Sequence, residues 1–352
     1  MQGCMEANDL ERAVRRFGRT VFAFDALEMS ERYAFFRSQR VPGAIVPYQT
    51  VGNTDAVLGE PLAPFDALDV VTREFIEDRG ARGRSVIGFC ASRDFAHAAV
   101  SVGAAAAQIT AEPELDPVSY EPRGGSAKKL RAYARRLLRA GVRGEALPRD
   151  PRHLPPDFRE RAESLLAEWK ERARATHAHL LAIDLWRRVE DKRFFAVFDP
   201  KTSDQIWSLL VAHPVHGLGG WHLCHLIRHP DAPKGVNELA VLTAIESLGD
   251  EGCRYATFGP YPSPHAGEFL GYGRLSERIV RAAYELAASS VGYGTSVEFY
   301  RKIQSAPWQP RYLVIWPRRA LVRGFYAMTR IAHVFGFLEA AGERRPAERD
   351  DS

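Results

Sequence analysis

Four prolines within ten residues, in the segment PRDPRHLPPD at 148–157, constrain this 352-residue chain more than any other feature. Proline lacks a backbone N–H and has a fixed φ, so neither a helix nor a central strand can run through the segment. A single hydrophobic core stops growing near about 250–300 residues, which leaves room here for two. We therefore predict an N-terminal domain at 9–147, a linker at 148–157 and a C-terminal domain at 158–316.

Strand and helix patterns alternate on both sides of this linker. Before it, apolar runs predict strands at 44–47, 54–58, 85–90 and 106–110, and apolar residues at helical spacing predict a helix over 65–81. After it, a capping-box pattern opens a helix that is followed by predicted strands at 194–198, 206–213, 221–227, 254–258 and 312–316 and by helices at 237–249 and 275–289. This mixed order predicts an α/β (α+β) fold, in which each domain is a mixed sheet flanked by helices.

A basic helix ends the first predicted domain. Lys128, Arg131, Arg135 and Arg139 recur at offsets of three and four along one face, and no acidic residue within the helix neutralises them. With Lys129 they are the five candidate contacts to phosphate. A surface that follows the phosphates of a nucleic acid is one interpretation. An ordinary solvated face is the other, and spacing alone does not separate the two.

The cysteines and the hydropathy pattern exclude several protein classes. Cys4, Cys90, Cys224 and Cys253 are far apart and show no paired spacing, which argues against a disulfide framework and favours a reducing compartment. No secretory h-region opens the chain, and no apolar run approaches the roughly 20 residues needed to cross a bilayer. We expect a cytoplasmic protein, with peripheral contact at the inner face of the membrane as an open alternative.

The end of the chain carries the pattern behind that alternative. Apolar residues form one stripe over 317–341, and arginines occupy the other side, which predicts an amphipathic basic helix. Such a helix either lies in a membrane interface or docks on the protein. Residues 342–352 are strongly charged, and we expect them to be disordered.

Four segments, taken in order, carry a resemblance to a known family. They are YQTVGNTDAVLGEPLAP at 48–64, GSAKKLRAYARRLLRAG at 125–141, LIRHPDAPKGVNEL at 226–239 with FGPYP at 258–262, and EFYRKIQSAPWQPRYLV at 298–314. The chain resembles the catalytic C-terminal domain of bacterial phosphatidylglycerol lysyltransferases and alanyltransferases (the multiple peptide resistance factor family). The resemblance implies tandem GNAT-like domains with the reaction centre in the second. The transmembrane part of full-length members has no counterpart here, so we expect a free-standing catalytic unit.

The third segment contains the candidate catalytic residues. A strand at 221–227 runs into a helix through a turn that contains Gly235, and a helix N-terminus at such a place binds anions. Arg228 at the strand end presents paired donors to oxygens, although bridging loop carbonyls is the alternative role. Glu238 and Asn237 open the helix, and the resemblance favours their use for the incoming aminoacyl group. A carboxylate that only complements the helix dipole is the alternative role of Glu238.

His225 departs from the resemblance, because the family carries an acidic residue there. Neutral imidazole can take the proton of an acceptor hydroxyl, so His225 is a candidate general base. An ordinary half-buried strand histidine is the alternative.

A zinc site among His222, Cys224, His225 and His229 is disfavoured from the sequence. In a regular strand 222 and 224 point to one face and 225 to the other, so the side chains cannot converge on one ion. We expect no metal and no cofactor, since exchanging one ester for another requires neither.

Near the end of the resemblance, Lys302, Arg311 and Tyr300 accompany Trp308. Basic groups with aromatic rings can seat a nucleotide end. We expect these three residues to bind substrate, with an aromatic core strand and solvent-reaching basic side chains as the alternative.

The resemblance implies an acyltransferase that moves an amino acid from aminoacyl-tRNA to a hydroxyl of a phosphatidylglycerol-like lipid, with an anionic lipid or membrane surface as second partner. Two alternatives stay open: an acyl-CoA-dependent GNAT acyltransferase, and a non-catalytic lipid- or RNA-binding protein of the same fold. The sequence leaves the amino acid, the acceptor and the oligomeric state open.

Overall fold

A computed structural model of the chain describes residues 7–125, 127–173, 183–201, 205–263, 265–290, 294–303 and 308–320. The helices are α1 Ala7–Phe17, α2 Phe22–Glu28, α3 Leu68–Ala81, α4 Arg93–Ser101, α5 Lys128–Arg139, α6 Phe158–Ala173, α7 Val236–Asp250, α8 Arg274–Ser290 and α9 Gly294–Ile303. The strands are β1 Ala34–Arg37, β2 Ile45–Val51, β3 Thr54–Leu58, β4 Ser85–Ala91, β5 Ala105–Glu112, β6 Glu114–Leu115, β7 Gly144–Ala146, β8 Arg193–Phe198, β9 Ile206–Val215, β10 Gly220–Arg228, β11 Ala256–Thr257, β12 Tyr261–Pro262, β13 Phe269–Leu270 and β14 Gln309–Trp316.

Two mixed sheets organise these elements. The first has the strand order β1-β2-β3-β4-β14-β5-β12, with β13 also paired to β5, and the second has the order β6-β11-β10-β9-β8-β7. In the first sheet α3 and α4 cover one face through residues such as Phe75 and Phe95, which are fully buried. In the second, α7 covers one face and α6 packs against the other. Each sheet is flanked by helices, which confirms the predicted α/β class.

One motif occurs in both sheets. An antiparallel pair, β2–β3 in the first sheet and β9–β10 in the second, leads into a helix that crosses over to a parallel strand. The crossover helices are α3 and α7, and the parallel strands that they reach are β4 and β11. The shared motif explains why both halves of the sequence show the same mixed strand and helix pattern.

The sheets do not divide at the predicted linker. Strand β14, which we assigned to the second domain, lies between β4 and β5 in the first sheet. Conversely, β6 and β7 precede the linker but belong to the second sheet. Pairing partners about 200 residues apart leave no local pattern, so the sequence could not reveal this exchange. The division at 148–157 remains a prediction about domains, whereas sheet membership crosses it.

Most predicted elements are present, with shifted ends. The basic helix spans Lys128–Arg139 and buries Leu130, Ala134 and Leu137. The sequence pattern over 9–40 predicts helical segments, but residues 34–37 form strand β1. Of the helix predicted at 317–341, residues 317–320 form a turn instead, and residues 321–341 lie, like the tail at 342–352, outside the described residues, so both stay predictions there.

The turn before α7 depends on one glycine. Gly235 has φ +104°, and a Cβ placed there would lie 2.6 Å from the Tyr133 Cβ of α5. We expect Gly235→Ala to lower the free energy of unfolding by about 2–4 kcal/mol, because backbone strain and overpacking add. Gly252→Ala is the matched control: φ is also positive, at +78°, but its Cβ would meet nothing within 4 Å. Equal losses in urea denaturation of the two variants would contradict the close packing of α5 on this turn.

Candidate active site

Strand β10 carries a β-bulge next to His225, one of its predicted catalytic residues. His222 pairs with His213 and Leu223 with Ala212, but the next residue of β9, Val211, pairs with His225. Cys224 is therefore an extra residue, and a bulge of this kind re-aims side chains next to it. Our argument that 224 and 225 must point to opposite faces assumed a regular strand and was wrong. The donor atoms of both side chains instead lie close together.

The bulge brings three side chains into one group, which we call the bulge cluster: His213, Cys224 and His225. The Sγ of Cys224 is 3.4 Å from Nε2 and 3.5 Å from Nδ1 of His225. The His213 and His225 rings stand edge to face with centroids 5.2 Å apart. On β9, Ala212 packs with residues of α7, so the adjacent His213 points to the opposite face of the second sheet, where its ring lies 4.9 Å from that of Phe24 in α2, centroid to centroid.

His213 is the buried member of the cluster. Its exposure is 2%, and within the described part of the chain neither ring nitrogen has a hydrogen-bond partner. Burial lowers the pKa of His213 well below its ordinary value, and the neighbouring His225 adds to the shift. Burial also raises the pKa of the Cys224 thiol. Both side chains are therefore neutral in the described arrangement.

Helix α2 places two carboxyl groups beside the cluster. Asp25 Oδ1 is 4.0 Å from His213 Nδ1, and burial together with Glu28 raises the pKa of Asp25 to about 7. Glu28 is paired with the buried Lys192 at 2.6 Å, and Lys192 also donates to the carbonyl of Asp184 at 2.6 Å. No sequence pattern marks Asp25 or His213 as site residues, because α2 lies almost 190 residues away from β9 along the chain.

The edge of β10 next to the bulge is open to a group of aromatic rings. The described part of β11 pairs only with Trp221 and His222, so the two parallel strands separate before the bulge. The ring of Tyr300 in α9 lies 4.7 Å from those of both Phe258 and Tyr261, centroid to centroid. Burial raises the pKa of Tyr300, and the nearby Cys224 adds to this shift. Tyr300, a predicted substrate-binding residue, thus lies beside the bulge.

Lys302 and Trp308 lie at the outer part of this aromatic group. The Lys302 ammonium is 5.9 Å from the centroid of the Phe299 ring, and Trp308 is 6.4 Å from Tyr261, centroid to centroid. A cation beside aromatic rings fits the predicted contact with a nucleotide end.

Arg228 faces away from His225. Its partner across the sheet is Ser208, whose hydroxyl donates to Asn237 Oδ1 of α7 at 2.8 Å, so this pair lies on the α7 face. The Arg228 guanidinium donates to the carbonyl of Ala232, the loop contact considered as its alternative role. Glu238 in the first turn of α7 is 8% exposed. The predicted catalytic residues therefore share one strand and one helix start but are divided between two faces.

His229 does not join the bulge cluster. Its Nδ1 accepts a hydrogen bond from the backbone N–H of Asp231 at 3.1 Å, and its Nε2 is 3.1 Å from Glu168. This histidine holds the turn between β10 and α7 and connects it to α6.

Arg311 lies between the two sheets. Its side chain is 11% exposed and donates to Glu112 at 2.6 Å and to Glu114 at 3.0 Å. Glu112 also accepts from Thr257 at 2.7 Å, and Glu114 accepts from Tyr255 at 3.1 Å. These contacts give Arg311 a structural role at the junction of the sheets, and its predicted contact with substrate remains untested.

The basic face of α5 lies beside the candidate site. Four of its predicted phosphate contacts are exposed and form no ion pair with any described residue: Lys128, Lys129, Arg135 and Arg139. Arg131 differs, because its guanidinium donates to the carbonyls of Pro122 and Gly124 and so holds the preceding loop. Arg136 connects the helix to the turn before α7 by donating to the carbonyl of Lys234 at 2.6 Å.

The second sheet repeats the hairpin–helix–strand motif of the first and adds a bulged strand with an open edge. Residues 12–315 match the family model described as "Phosphatidylglycerol lysyltransferase, C-terminal", and the chain belongs to this family. It is thus an enzyme of the aminoacyltransferase class. No curated protein matches the sequence.

Solved structures agree with the fold. The C-terminal domain of a putative lysylphosphatidylglycerol synthetase from Agrobacterium fabrum has a TM-score of 0.70 at 16% identity, over 92% of this chain and 95% of that chain. L-PGS from Bacillus licheniformis has a TM-score of 0.71 at 18% identity, over 93% and 97%. FemX has a TM-score of 0.54 at 10% identity, over 91% and 99%. At these identities the likeness concerns the fold alone.

None of the described helices is long and apolar enough to cross a membrane.

Proposed function

We propose that this enzyme transfers an amino acid from aminoacyl-tRNA to a hydroxyl group of a phosphatidylglycerol-like lipid. Membership of the family supports aminoacyl transfer in general. The observation that carries the more specific proposal is the exposed basic face of α5 beside the turn that opens α7. This arrangement can hold the phosphates of a tRNA acceptor end close to β10.

The reaction exchanges one ester for another. The acceptor hydroxyl attacks the carbonyl carbon of the aminoacyl ester, His225 takes the hydroxyl proton, and the ribose oxygen of tRNA leaves with a proton. Arg228 and the backbone amides that follow Gly235 are proposed to stabilise the oxyanion. Glu238 and Asn237 are proposed to hold the α-ammonium group. No cofactor enters this scheme, and positioning of two large substrates supplies much of the rate.

The open edge of β10 supports this assignment of roles. Substrate that lies along this edge can reach His225 from one face of the sheet and the turn after Arg228 from the other. Tyr300 and Tyr261, whose ring centroids are 4.7 Å apart, close the side opposite β10, where aromatic and basic groups together can seat the end of the donor. We propose Tyr300 and Lys302 as contacts of that end.

A ribonuclease experiment tests the donor. The purified chain is incubated with a labelled amino acid, tRNA, the corresponding aminoacyl-tRNA synthetase and phosphatidylglycerol vesicles, with and without ribonuclease. We expect label in the organic phase only while tRNA is intact. Label that persists after ribonuclease, or that appears only from labelled acyl-CoA, would favour the acyl-CoA-dependent alternative. If no label reaches the lipid under any of these conditions, the result would favour a non-catalytic binding protein.

The salt dependence of tRNA binding tests the basic face. Each phosphate contact contributes about 0.9 to the slope of log K against log salt on a duplex. We expect Arg135→Gln with Arg139→Gln to flatten this slope by up to about two units. Arg73→Gln with Arg278→Gln removes the same charge from exposed positions on α3 and α8 and serves as the control. Equal slopes for the two double variants would remove α5 from the tRNA contact.

A further inference from the structure

We propose that the bulge cluster binds one divalent transition-metal ion of the zinc class, through the Sγ of Cys224 and one ring nitrogen each of His213 and His225. The three donor atoms lie within 4.8 Å of one another. They come from β9 and from the bulge of β10, two adjacent strands that hold them on a rigid part of the fold.

The distances within the cluster are close to those of a metal site. Zinc bonds of about 2.3 Å to sulfur and about 2.0 Å to nitrogen, at a tetrahedral angle, separate the two ligand atoms by about 3.5 Å. Cys224 Sγ is 3.4 Å and 3.5 Å from the two ring nitrogens of His225. Because the sulfur is almost equally far from both nitrogens, it lies over the imidazole ring, and the His225 ring must turn to aim one nitrogen at a shared ion. The bulge places the two neighbouring residues within reach of one ion.

An independent observation concerns His213. A buried imidazole without hydrogen bonds costs free energy, because its polar nitrogens lose contact with water and gain no partner. Both ring nitrogens of His213 lack a hydrogen-bond partner among the described residues, although the side chain is 2% exposed. A metal ion bound to Cys224 and His225 would supply the missing partner for one nitrogen. Asp25 Oδ1, 4.0 Å from Nδ1, would stand beside the imidazole as carboxylates do in histidine–metal sites.

The donor set selects the class of ion. A thiolate with two imidazoles suits zinc and its spectroscopic substitute cobalt(II), whereas calcium and magnesium require oxygen ligands. Three protein ligands leave the fourth position of a tetrahedral ion for a solvent molecule.

Metal binding has a consequence that rests on the proposed function. A metal bound to the basic nitrogen of His225 prevents that nitrogen from taking a proton. The metal-loaded enzyme is therefore expected to lose transfer activity, and a chelator is expected to restore it.

Cobalt(II) titration of the full chain, after treatment with chelator, tests the site without reference to activity. We expect one equivalent to produce the visible bands of tetrahedral cobalt together with a thiolate-to-cobalt charge-transfer band. Cys224→Ser should abolish the charge-transfer band, and His213→Gln should weaken binding at least about tenfold. Cys253→Ser is the matched control, because this partly buried cysteine lies outside the cluster with its Sγ 3.2 Å from the Tyr255 carbonyl. Circular dichroism verifies that each variant is folded.

Two results would overturn the proposal: no tetrahedral cobalt spectrum in the wild-type chain, or a charge-transfer band that survives in folded Cys224→Ser. The activity measurement is separate. A cobalt spectrum without inhibition of transfer would leave the metal site standing and contradict His225 as base. Absence of the spectrum, combined with tRNA-dependent transfer, would reject the metal site and leave the proposed function standing.

Discussion

Replacing His225 by glutamine is expected to lower the rate of aminoacyl transfer on the order of 10²–10⁴-fold, the usual contribution of a general base. Glutamine keeps a polar side chain of similar reach at the bulge but cannot accept the proton of the acceptor hydroxyl. The loss should be in kcat, measured with saturating aminoacyl-tRNA and lipid vesicles. Binding of tRNA should keep its salt dependence, because α5 is unchanged.

The control for this prediction is His216→Gln. His216 is also partly buried and follows β9 directly, and its ring lies 6.5 Å from Phe24, centroid to centroid. It is not a member of the bulge cluster, so the variant should retain nearly the wild-type rate. A folded His225→Gln enzyme with unchanged kcat would show that the acceptor proton leaves by another route.

Replacing Arg311 by methionine is expected to lower the free energy of unfolding by about 3–5 kcal/mol, because it leaves a buried carboxylate without its counter-ion. Glu112 is 2% exposed and accepts from Arg311 at 2.6 Å, and the burial of Glu114 already raises the pKa of that carboxyl. Methionine fills much of the arginine volume, so the effect comes mainly from the lost charge. Urea denaturation measures the change.

Two further variants test whether the lost counter-ion causes the expected loss of stability. Arg254→Met removes an arginine that is 75% exposed and paired with Asp116 at 3.3 Å, and it should cost no more than about 1 kcal/mol. Adding Glu112→Gln to Arg311→Met should recover part of the stability, because the amide needs no counter-ion. If Arg311→Met folds with wild-type stability and lowers only the affinity for substrate, the originally predicted binding role is correct.

Several features follow from local sequence alone. The basic helix was predictable because Leu130, Ala134 and Leu137 recur at helical spacing and Gly141 ends the pattern. The passage from β10 through a turn into α7 was predictable because Pro233 and Gly235 interrupt two apolar segments. The mixed α/β class and the family motifs followed from the same short windows, since each is encoded by residues close together in the chain.

The arrangement of the candidate site was decided by tertiary structure. Strand β14 enters the first sheet, Asp25 of α2 reaches His213 of β9, and Cys224 is extra in the pairing of β9 with β10. None of these depends on a neighbour in sequence: each results from the packing of elements that are remote along the chain, which sets strand order and register. A one-residue change of register moves every later side chain to the other face of a strand. Sequence therefore determined which residues lie on β10, and the packed sheet determined which of them meet.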